Sequence, residues 1–312
     1  MCSVKTRKDH IAENTIPVAQ PRTIGSLALI LLLALAWGCY WPAMKVALGE
    51  VDVWLFRTLS GVGGGLTFLA LLKAGGAPLA VPRAERMPLA LTALLNMTLF
   101  PLCSLLALRF YGAGPAVIVA YTMPVWVALL GSFVLRERLS LRRLGALGSG
   151  LLGLAVLLLT EVRRTGGVLP AGALLVLLGA VFWAGGVVLQ KRTAWTMPVS
   201  VLTGWQLVLG TVPFVPACFA LSDFSVFGKL STWALLAWAY STFVGFVLGY
   251  YLFYQVIARL PVTIASITTL VVPVVGVLAS GLLLGERVGA AELIALGAVV
   301  TAVALILFEH RE

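Results

Sequence analysis

The sequence predicts an all-α integral membrane protein with ten transmembrane helices, arranged as two inverted five-helix repeats. Three observations carry this prediction: an apolar composition, apolar stretches long enough to cross a bilayer, and an internal repeat. The chain is 61% hydrophobic and 11% charged, whereas a soluble domain carries roughly 25% charged residues. The composition alone therefore indicates a protein embedded in a membrane.

Ten apolar stretches approach the ~20 residues that an α-helix needs to cross the hydrocarbon core. The predicted spans cover residues 24–46, 53–72, 88–108, 114–135, 143–160, 168–189, 200–221, 232–254, 262–284 and 289–308. The connections between them are short and hold nearly all the charge, so no appended soluble domain is expected. Small residues recur inside the spans at helix-packing intervals, as at Gly61/Gly65, Gly145/Ser149/Gly153 and Gly245/Gly249, and we interpret them as contacts between helices of one chain.

The spans divide the chain into two equal units. We expect a cytoplasmic N-terminal tail over residues 1–23, a first five-helix repeat over 24–160, a connecting loop over 161–167 and a second five-helix repeat over 168–308. Together they would form a single transmembrane domain.

The internal repeat is clearest between residues 124–148 and 273–297, where ten of 25 positions are identical at a constant offset of 149. The matches include Pro124/Pro273, Glu137/Glu286 and Arg138/Arg287. Because each unit has an odd number of spans, the two copies must cross the membrane in opposite directions. An inverted duplication of this kind is typical of transporters.

The distribution of basic residues predicts the orientation. With ten spans both termini lie on one side, and that side holds fifteen Lys and Arg residues against six on the other. By the positive-inside rule, both termini are expected in the cytoplasm.

Three stretches carry a family resemblance: AWGCYWPAMKVAL at 36–48, ALRFYGAGPAVIVAYTMPVWVALLGSFVLRERLSLRRLGALG at 107–148, and LLLGERVGAAELIALG at 282–297. Together they resemble the drug/metabolite transporter superfamily in its EamA-type ten-helix branch. The aromatic residues discussed below make the chain look like the bacterial aromatic amino-acid exporters of the YddG type within that branch. The resemblance implies a carrier of the cell inner membrane, with a central cavity formed mainly by spans 1, 3, 4, 6, 8 and 9.

Acidic residues and histidines are absent from the predicted membrane interior. All twelve Asp and Glu residues fall in tails, loops or span ends, and the two histidines, His10 and His310, lie in the tails. Four cysteines show no metal-binding spacing. We therefore expect no enzyme activity, no metal and no cofactor, and we favour a facilitator or exchanger over a pump driven by a carboxylate relay.

Polar and aromatic residues within the spans are the candidate substrate-binding residues. Helical spacing places Trp37 and Trp41 on one face with Tyr40 beside them, and likewise groups Tyr240, Tyr251 and Gln255. The full candidate set is Trp37, Tyr40, Trp41, Asn96, Tyr121, Thr122, Trp183, Tyr240, Tyr251 and Gln255. For the aromatic residues the alternative interpretation is helix packing or an interfacial belt.

Charged residues near span ends allow two interpretations. Lys45 and Lys191 would hold a substrate carboxylate or anchor their helices at the headgroups. Arg57 is expected to extend towards the membrane surface, because a central arginine costs roughly 2.5–3.5 kcal/mol on insertion scales. The pairs Glu137–Arg138 and Glu286–Arg287 would be helix-end ion pairs or gates on opposite membrane faces.

The sequence therefore predicts an inner-membrane exporter of small organic solutes, with aromatic or hydrophobic amino acids as the favoured substrates, working by alternating access. The partners would be the small solute and the lipid bilayer, with no nucleic acid, and the protein would act as a monomer, with a dimer as the alternative. Other open alternatives are export of nucleosides, purines or drugs, a lipid flippase, and a structural membrane subunit that carries nothing.

Overall fold

A computed structural model describes residues 23–134, 141–164, 170–259 and 262–307. Within these ranges the chain is built of helices joined by short turns and contains no β-strand. This confirms the predicted all-α fold. The candidate residues Glu137 and Arg138, and the predicted N-terminal tail, lie outside the described residues.

Fifteen α-helices follow one another along the described chain. In the first half these are α1 (Thr23–Gly38), α2 (Tyr40–Leu48), α3 (Val53–Ala74), α4 (Arg86–Ala93), α5 (Phe100–Leu108), α6 (Ala113–Ala120), α7 (Met123–Val134) and α8 (Leu141–Arg164). In the second half they are α9 (Ala171–Arg192), α10 (Val199–Leu209), α11 (Phe214–Leu221), α12 (Thr232–Ala239), α13 (Gly249–Arg259), α14 (Val262–Leu284) and α15 (Ala290–Leu307). Two π-helical segments, Leu94–Leu99 and Tyr240–Leu248, join α4 to α5 and α12 to α13.

Seven helical stretches are long and apolar enough to cross a membrane, and they coincide with predicted spans one to four and six to eight. Shorter apolar helices at Leu144–Thr160, Val271–Leu284 and Ala290–Leu305 occupy the places of predicted spans five, nine and ten. Among the described residues, seven of the ten predicted spans therefore meet the length criterion, and the chain is a multi-pass membrane protein.

Prolines explain several of the breaks within spans. Pro42 lies just after the interruption at Cys39, Pro124 follows the turn between α6 and α7, and Pro213 precedes α11. Proline has no N–H to donate and its ring clashes with the preceding turn, so a helix kinks or ends there. Polar side chains cap other starts: Asp52 accepts from the N–H groups of Trp54 and Leu55 at the start of α3.

The two halves pack with two-fold symmetry. Equivalent helices meet each other: α8 packs along α15, α3 along α10 and α11, and α6 against α14. Non-equivalent helices also pair in a symmetric way. Helix α1 of the first span packs on α14 of the ninth span, and helix α9 of the sixth span packs on α6 and α7 of the fourth span. Both π-helical segments stand in the third span of their repeat. Copies with the five spans predicted for each half would cross the membrane in opposite directions, as an inverted repeat requires.

Glycines allow the close approaches that hold the halves together. A Cβ added to Gly61 would lie 2.8 Å from Cγ2 of Thr211 in the seventh span, and a Cβ on Gly249 would lie 2.9 Å from Cδ1 of Trp37. Ser149 donates a hydrogen bond of 2.8 Å to the carbonyl of Ala298. The small residues at these predicted positions therefore pack helices of one chain against each other.

Candidate functional site

A cavity of about 510 Å³ lies among the first, third, fourth, sixth and eighth spans. Both repeats contribute to it, as expected for a site at the interface of inverted repeats. Six of the ten predicted binding residues line it: Trp37, Tyr40, Trp41, Asn96, Tyr121 and Trp183. No described residue of the ninth span lines the cavity, although the family resemblance implied one.

The two repeat-related tryptophans occupy equivalent positions in the cavity wall. Trp37 packs edge-on against Tyr250 of the eighth span, with ring centroids 5.6 Å apart. Trp183 packs in the same way against Phe100 of the third span, at 5.1 Å. Edge-to-face contacts of this kind add to the stabilisation from burial. Each tryptophan thus joins the first span of its own repeat to the third span of the other.

The π-helical segment of the third span is held by an arginine. Pro101 has no N–H, so the carbonyl of Met97, four residues earlier, lacks its usual helical donor. Arg57 Nη2 donates to this carbonyl at 2.6 Å. The side chain is 1% exposed, and its guanidinium lies 4.9 Å from the ring centroid of Phe246. The prediction that Arg57 reaches the membrane surface is therefore wrong, because a freed carbonyl and an aromatic ring stabilise it in the interior.

Tyr240 stabilises the interruption of the first span and does not line the cavity. Its hydroxyl donates to the carbonyls of Leu35 at 3.0 Å and Ala36 at 3.2 Å. Both carbonyls belong to the last turn of α1, and the Leu35 carbonyl also accepts from the N–H of Cys39 at 3.0 Å. From the opposite side, Trp37 Nε1 donates to the carbonyl of Gly245 in the second π-helical segment at 3.2 Å.

The other three predicted residues also lie outside the cavity lining. Thr122 is buried, donates to the carbonyl of Val119 at 2.7 Å and accepts from Trp126 Nε1 at 3.1 Å. Tyr251 is 51% exposed on the outer surface of the bundle. Gln255 is half-buried on the same helix.

Sequence reasoning missed the actual cavity face of the eighth span. Phe246, Tyr250 and Phe253 line the cavity, and their spacing of i, i+4 and i+7 is that of one helical face. The predicted face, that of Tyr240, Tyr251 and Gln255, assumes a regular α-helix throughout the eighth span. The π-helical segment Tyr240–Leu248 has more residues per turn, so the face that looks inwards after it is rotated relative to that extrapolation.

The polar groups of the cavity are few among the described residues. Lys191 is the cationic residue in the lining, and no acidic residue of the described chain lines it. Two oxygens beside the cavity, Asn96 Oδ1 and Ser104 Oγ, are buried without a hydrogen-bond partner. Buried polar groups are usually paired, and both residues are therefore candidates for contact with a bound solute.

A cluster that we call the Lys45–Glu286 clasp joins spans one, four and nine at one end of the cavity. Lys45 Nζ lies 2.8 Å from Glu286 Oε1 and donates to the carbonyl of Tyr111 at 2.9 Å. The Glu286 carboxylate also accepts from the N–H groups of Ala113 and Gly114, at 2.8 and 2.9 Å. A carboxylate at a helix N-terminus is favoured by the helix dipole. Glu286 thus pairs with Lys45, while its neighbour Arg287 is exposed.

The sequence profile of the EamA-like transporter family matches residues 24–159 and, a second time, residues 170–308. The chain belongs to the EamA-like transporter family. The double match accords with the duplicated architecture, and membership makes the chain a transporter of the drug/metabolite transporter superfamily. It does not identify the YddG-type subgroup, which stays a prediction.

Relatives across nearly the whole chain are transporters too. An uncharacterized transporter of Bacillus subtilis strain 168, YvbV, is 27% identical over 293 residues, 92% of each chain. A protein of Salmonella typhimurium named a probable amino-acid metabolite efflux pump is 28% identical over 273 residues, 83% of this chain and 86% of its own. A crystal structure with 20% sequence identity matches with a TM-score of 0.63 over 90% of this chain and 96% of that one. This last likeness supports the fold.

Proposed function

We propose that this EamA-family transporter exports small organic solutes, most favourably amino acids with aromatic or hydrophobic side chains, across the bacterial inner membrane. The observation that carries the proposal is the aromatic cavity between the repeats. Its volume of about 510 Å³ falls within the roughly 300–1,000 Å³ of small-molecule sites. Two similar proteins named as probable amino-acid metabolite efflux pumps, from Salmonella typhimurium and Escherichia coli, support the substrate class.

The cavity chemistry suits a solute with one apolar and one polar end. Ring faces and edges of Trp37, Tyr40, Trp183 and Tyr250 offer an apolar surface for a side chain. The amide of Asn96 lies at the same cavity and offers a polar contact. This combination favours an amino acid over a purely hydrocarbon ligand.

Transport would proceed by rocking one repeat against the other around this fixed site. The Lys45–Glu286 clasp would close one end of the cavity, and the repeat-related Glu137–Arg138 region would act at the other. The predicted spans contain no acid at mid-membrane depth, so we propose a facilitator or exchanger that moves solute down its own gradient. Both termini would be cytoplasmic and the monomer would be the working unit.

Flux measurements with purified protein in liposomes test the proposal. Radiolabelled phenylalanine and tryptophan should cross faster than in empty liposomes and faster than threonine or a nucleoside. Trp37→Ala and Asn96→Ala should each lower phenylalanine flux by roughly 5- to 30-fold, because one well-placed contact is worth on the order of 1–2 kcal/mol. Trp233→Ala is the matched control, since this tryptophan is 77% exposed and lies away from the cavity.

Each outcome has a definite meaning. If no solute crosses faster than in empty liposomes, the carrier proposal fails and a structural role replaces it. If only the nucleoside crosses, the proposal that the protein exports small organic solutes stands, and the assignment of amino acids as its substrates fails. If Trp37→Ala and Asn96→Ala both retain full flux with normal membrane insertion, the substrate site lies elsewhere.

A further inference from the structure

Arg57 is a buried charge for which the described part of the chain supplies no counter-charge. The residue is 1% exposed, and it forms no salt bridge with any acid in the described part of the chain. Its Nε and Nη1 atoms have no hydrogen-bond partner. An arginine in the interior of a membrane protein is costly, and such residues commonly mark a substrate or ion pathway. Holding one carbonyl of the third span would not need a full positive charge.

The guanidinium lies directly behind the cavity wall. Its hydrogen bond to the Met97 carbonyl and its 4.9 Å contact with the Phe246 ring join it to two residues whose side chains line the cavity. A second ring, that of Phe214, lies 5.6 Å from it on the far side. These contacts fix the charge one residue layer away from the space where a solute would bind. Protein surroundings of this kind screen a charge far less than water does.

We infer that Arg57 sets the charge selectivity of the cavity, so that carboxylate-bearing solutes are accepted and organic cations are rejected. This inference rests on the proposed function, since it names the substrate class of the same cavity. Arg57 acts through the field of its guanidinium and not by direct contact.

The same arrangement accommodates a zwitterionic amino acid. Its carboxylate would lie towards Met97 and Phe246, where the field of Arg57 is strongest. Its ammonium group would then lie farther from the guanidinium than its carboxylate does. A permanently cationic drug has no group for the Arg57 side, so the positive field opposes its entry.

Three ligands that share a phenyl ring and differ in charge test this inference. They are phenylalanine, 3-phenylpropionate and 2-phenylethylamine, each titrated against the purified full-length protein by calorimetry at neutral pH. The wild-type protein should bind the propionate at least about tenfold more tightly than the amine, because a nearby opposite charge changes such equilibria by one to three powers of ten. Phenylalanine should also bind more tightly than the amine.

Variants then assign the effect to the residue. Arg57→Gln should bring the propionate-to-amine affinity ratio close to one, whereas Arg57→Lys, which keeps the charge, should retain most of the preference. Arg109→Gln is the control, because Arg109 is exposed outside the cavity and loses the same unit of charge. The affinity ratio of the wild-type protein is informative even if Arg57→Gln does not fold.

Three results would each overturn the inference: equal or tighter binding of the amine by the wild type, an unchanged ratio in folded Arg57→Gln, or binding of none of the three ligands. The outcome is separable from that of the liposome experiment. A protein that binds with the expected charge preference but moves no solute contradicts the transport proposal alone, and a protein that transports while preferring the amine contradicts this inference alone.

Discussion

Replacing Glu286 with glutamine tests whether the Lys45–Glu286 clasp holds one end of the cavity shut. The substitution keeps the size of the side chain and removes its charge. In the native protein that charge interacts with Lys45 Nζ at 2.8 Å and with two N–H groups at the start of α6, at 2.8 and 2.9 Å. All three contacts join the end of the ninth span to other spans, so they strengthen only the state in which these ends lie together.

The expected effect follows from these contacts. The Lys45 and Glu286 side chains are 31% and 17% exposed, so the ion pair contributes at the level of about 1 kcal/mol. A carboxylate at a helix N-terminus adds about 0.3–1 kcal/mol. Losing both would shift the closed-to-open equilibrium by about 1–2 kcal/mol, which corresponds to roughly 5- to 30-fold in population.

Chemical accessibility of a cavity residue measures that shift. Met44 lines the cavity next to Lys45 and is 3% exposed. In a protein whose native cysteines are replaced, Met44→Cys should react slowly with a membrane-impermeant maleimide added on the Lys45 side. Adding Glu286→Gln should raise the alkylation rate by about the population factor, and Lys45→Met should do the same.

A second acid at the same end of the protein provides the control. Glu292 is charged like Glu286, and its carboxylate accepts from the N–H of Gly289 without contacting Lys45. Glu292→Gln should therefore leave the alkylation rate unchanged. If Glu286→Gln and Glu292→Gln give the same rate as the parent protein, the contacts of Glu286 serve only static packing and the gate assignment is refuted.

Two further predictions concern stability. Gly61→Ala should destabilise the protein by about 1–3 kcal/mol, because the new methyl group meets Thr211. Gly297→Ala, with open space around it, should be neutral or stabilising by up to about 1 kcal/mol. Thermal unfolding in detergent compares the two variants, and equal stabilities would contradict the packing argument. The Ser231 hydroxyl and N–H donate to Glu50 and hold the pKa of that carboxyl below its ordinary 4.5, so its stabilising contribution is complete above pH 4.5 and is lost as the pH falls through the lowered pKa. The unfolding temperatures of wild type and Glu50→Gln should therefore differ at neutral pH and converge in acid, and a constant difference would show that the carboxylate charge is irrelevant.

Patterns that depend on composition and repetition were predictable from the sequence. Apolar stretches identified seven membrane-length helices, and matched positions such as Trp37 and Trp183 identified residues that occupy equivalent places in the cavity wall. These predictions succeed because burial in lipid constrains composition over about twenty residues, and because a duplicated unit repeats its contacts.

Features that depend on local departures from regular helix were not predictable. The π-helical segment of the eighth span moved the cavity face from Tyr251 to Tyr250, since extra residues in a turn rotate everything after it. The sequence predicts Arg57 at the membrane surface, because the cost of inserting an arginine into the bilayer is high when no partner for its guanidinium is known. The carbonyl that receives it is freed by Pro101, which is distant in sequence, and its ring partner Phe246 belongs to the other repeat.

The pairing of Arg57 with the Met97 carbonyl has a genetic consequence. We expect either residue of the pair Arg57 and Pro101 to be harmful without the other, because the proline alone leaves a buried carbonyl without its helical donor, and the arginine alone loses that carbonyl as an acceptor. A residue with an N–H in place of Pro101 would donate to the Met97 carbonyl. The Arg57 guanidinium would then lose its hydrogen-bond acceptor. We expect the effects of mutations at these two positions to be strongly epistatic, with the double replacement tolerated better than the replacement of Pro101 alone.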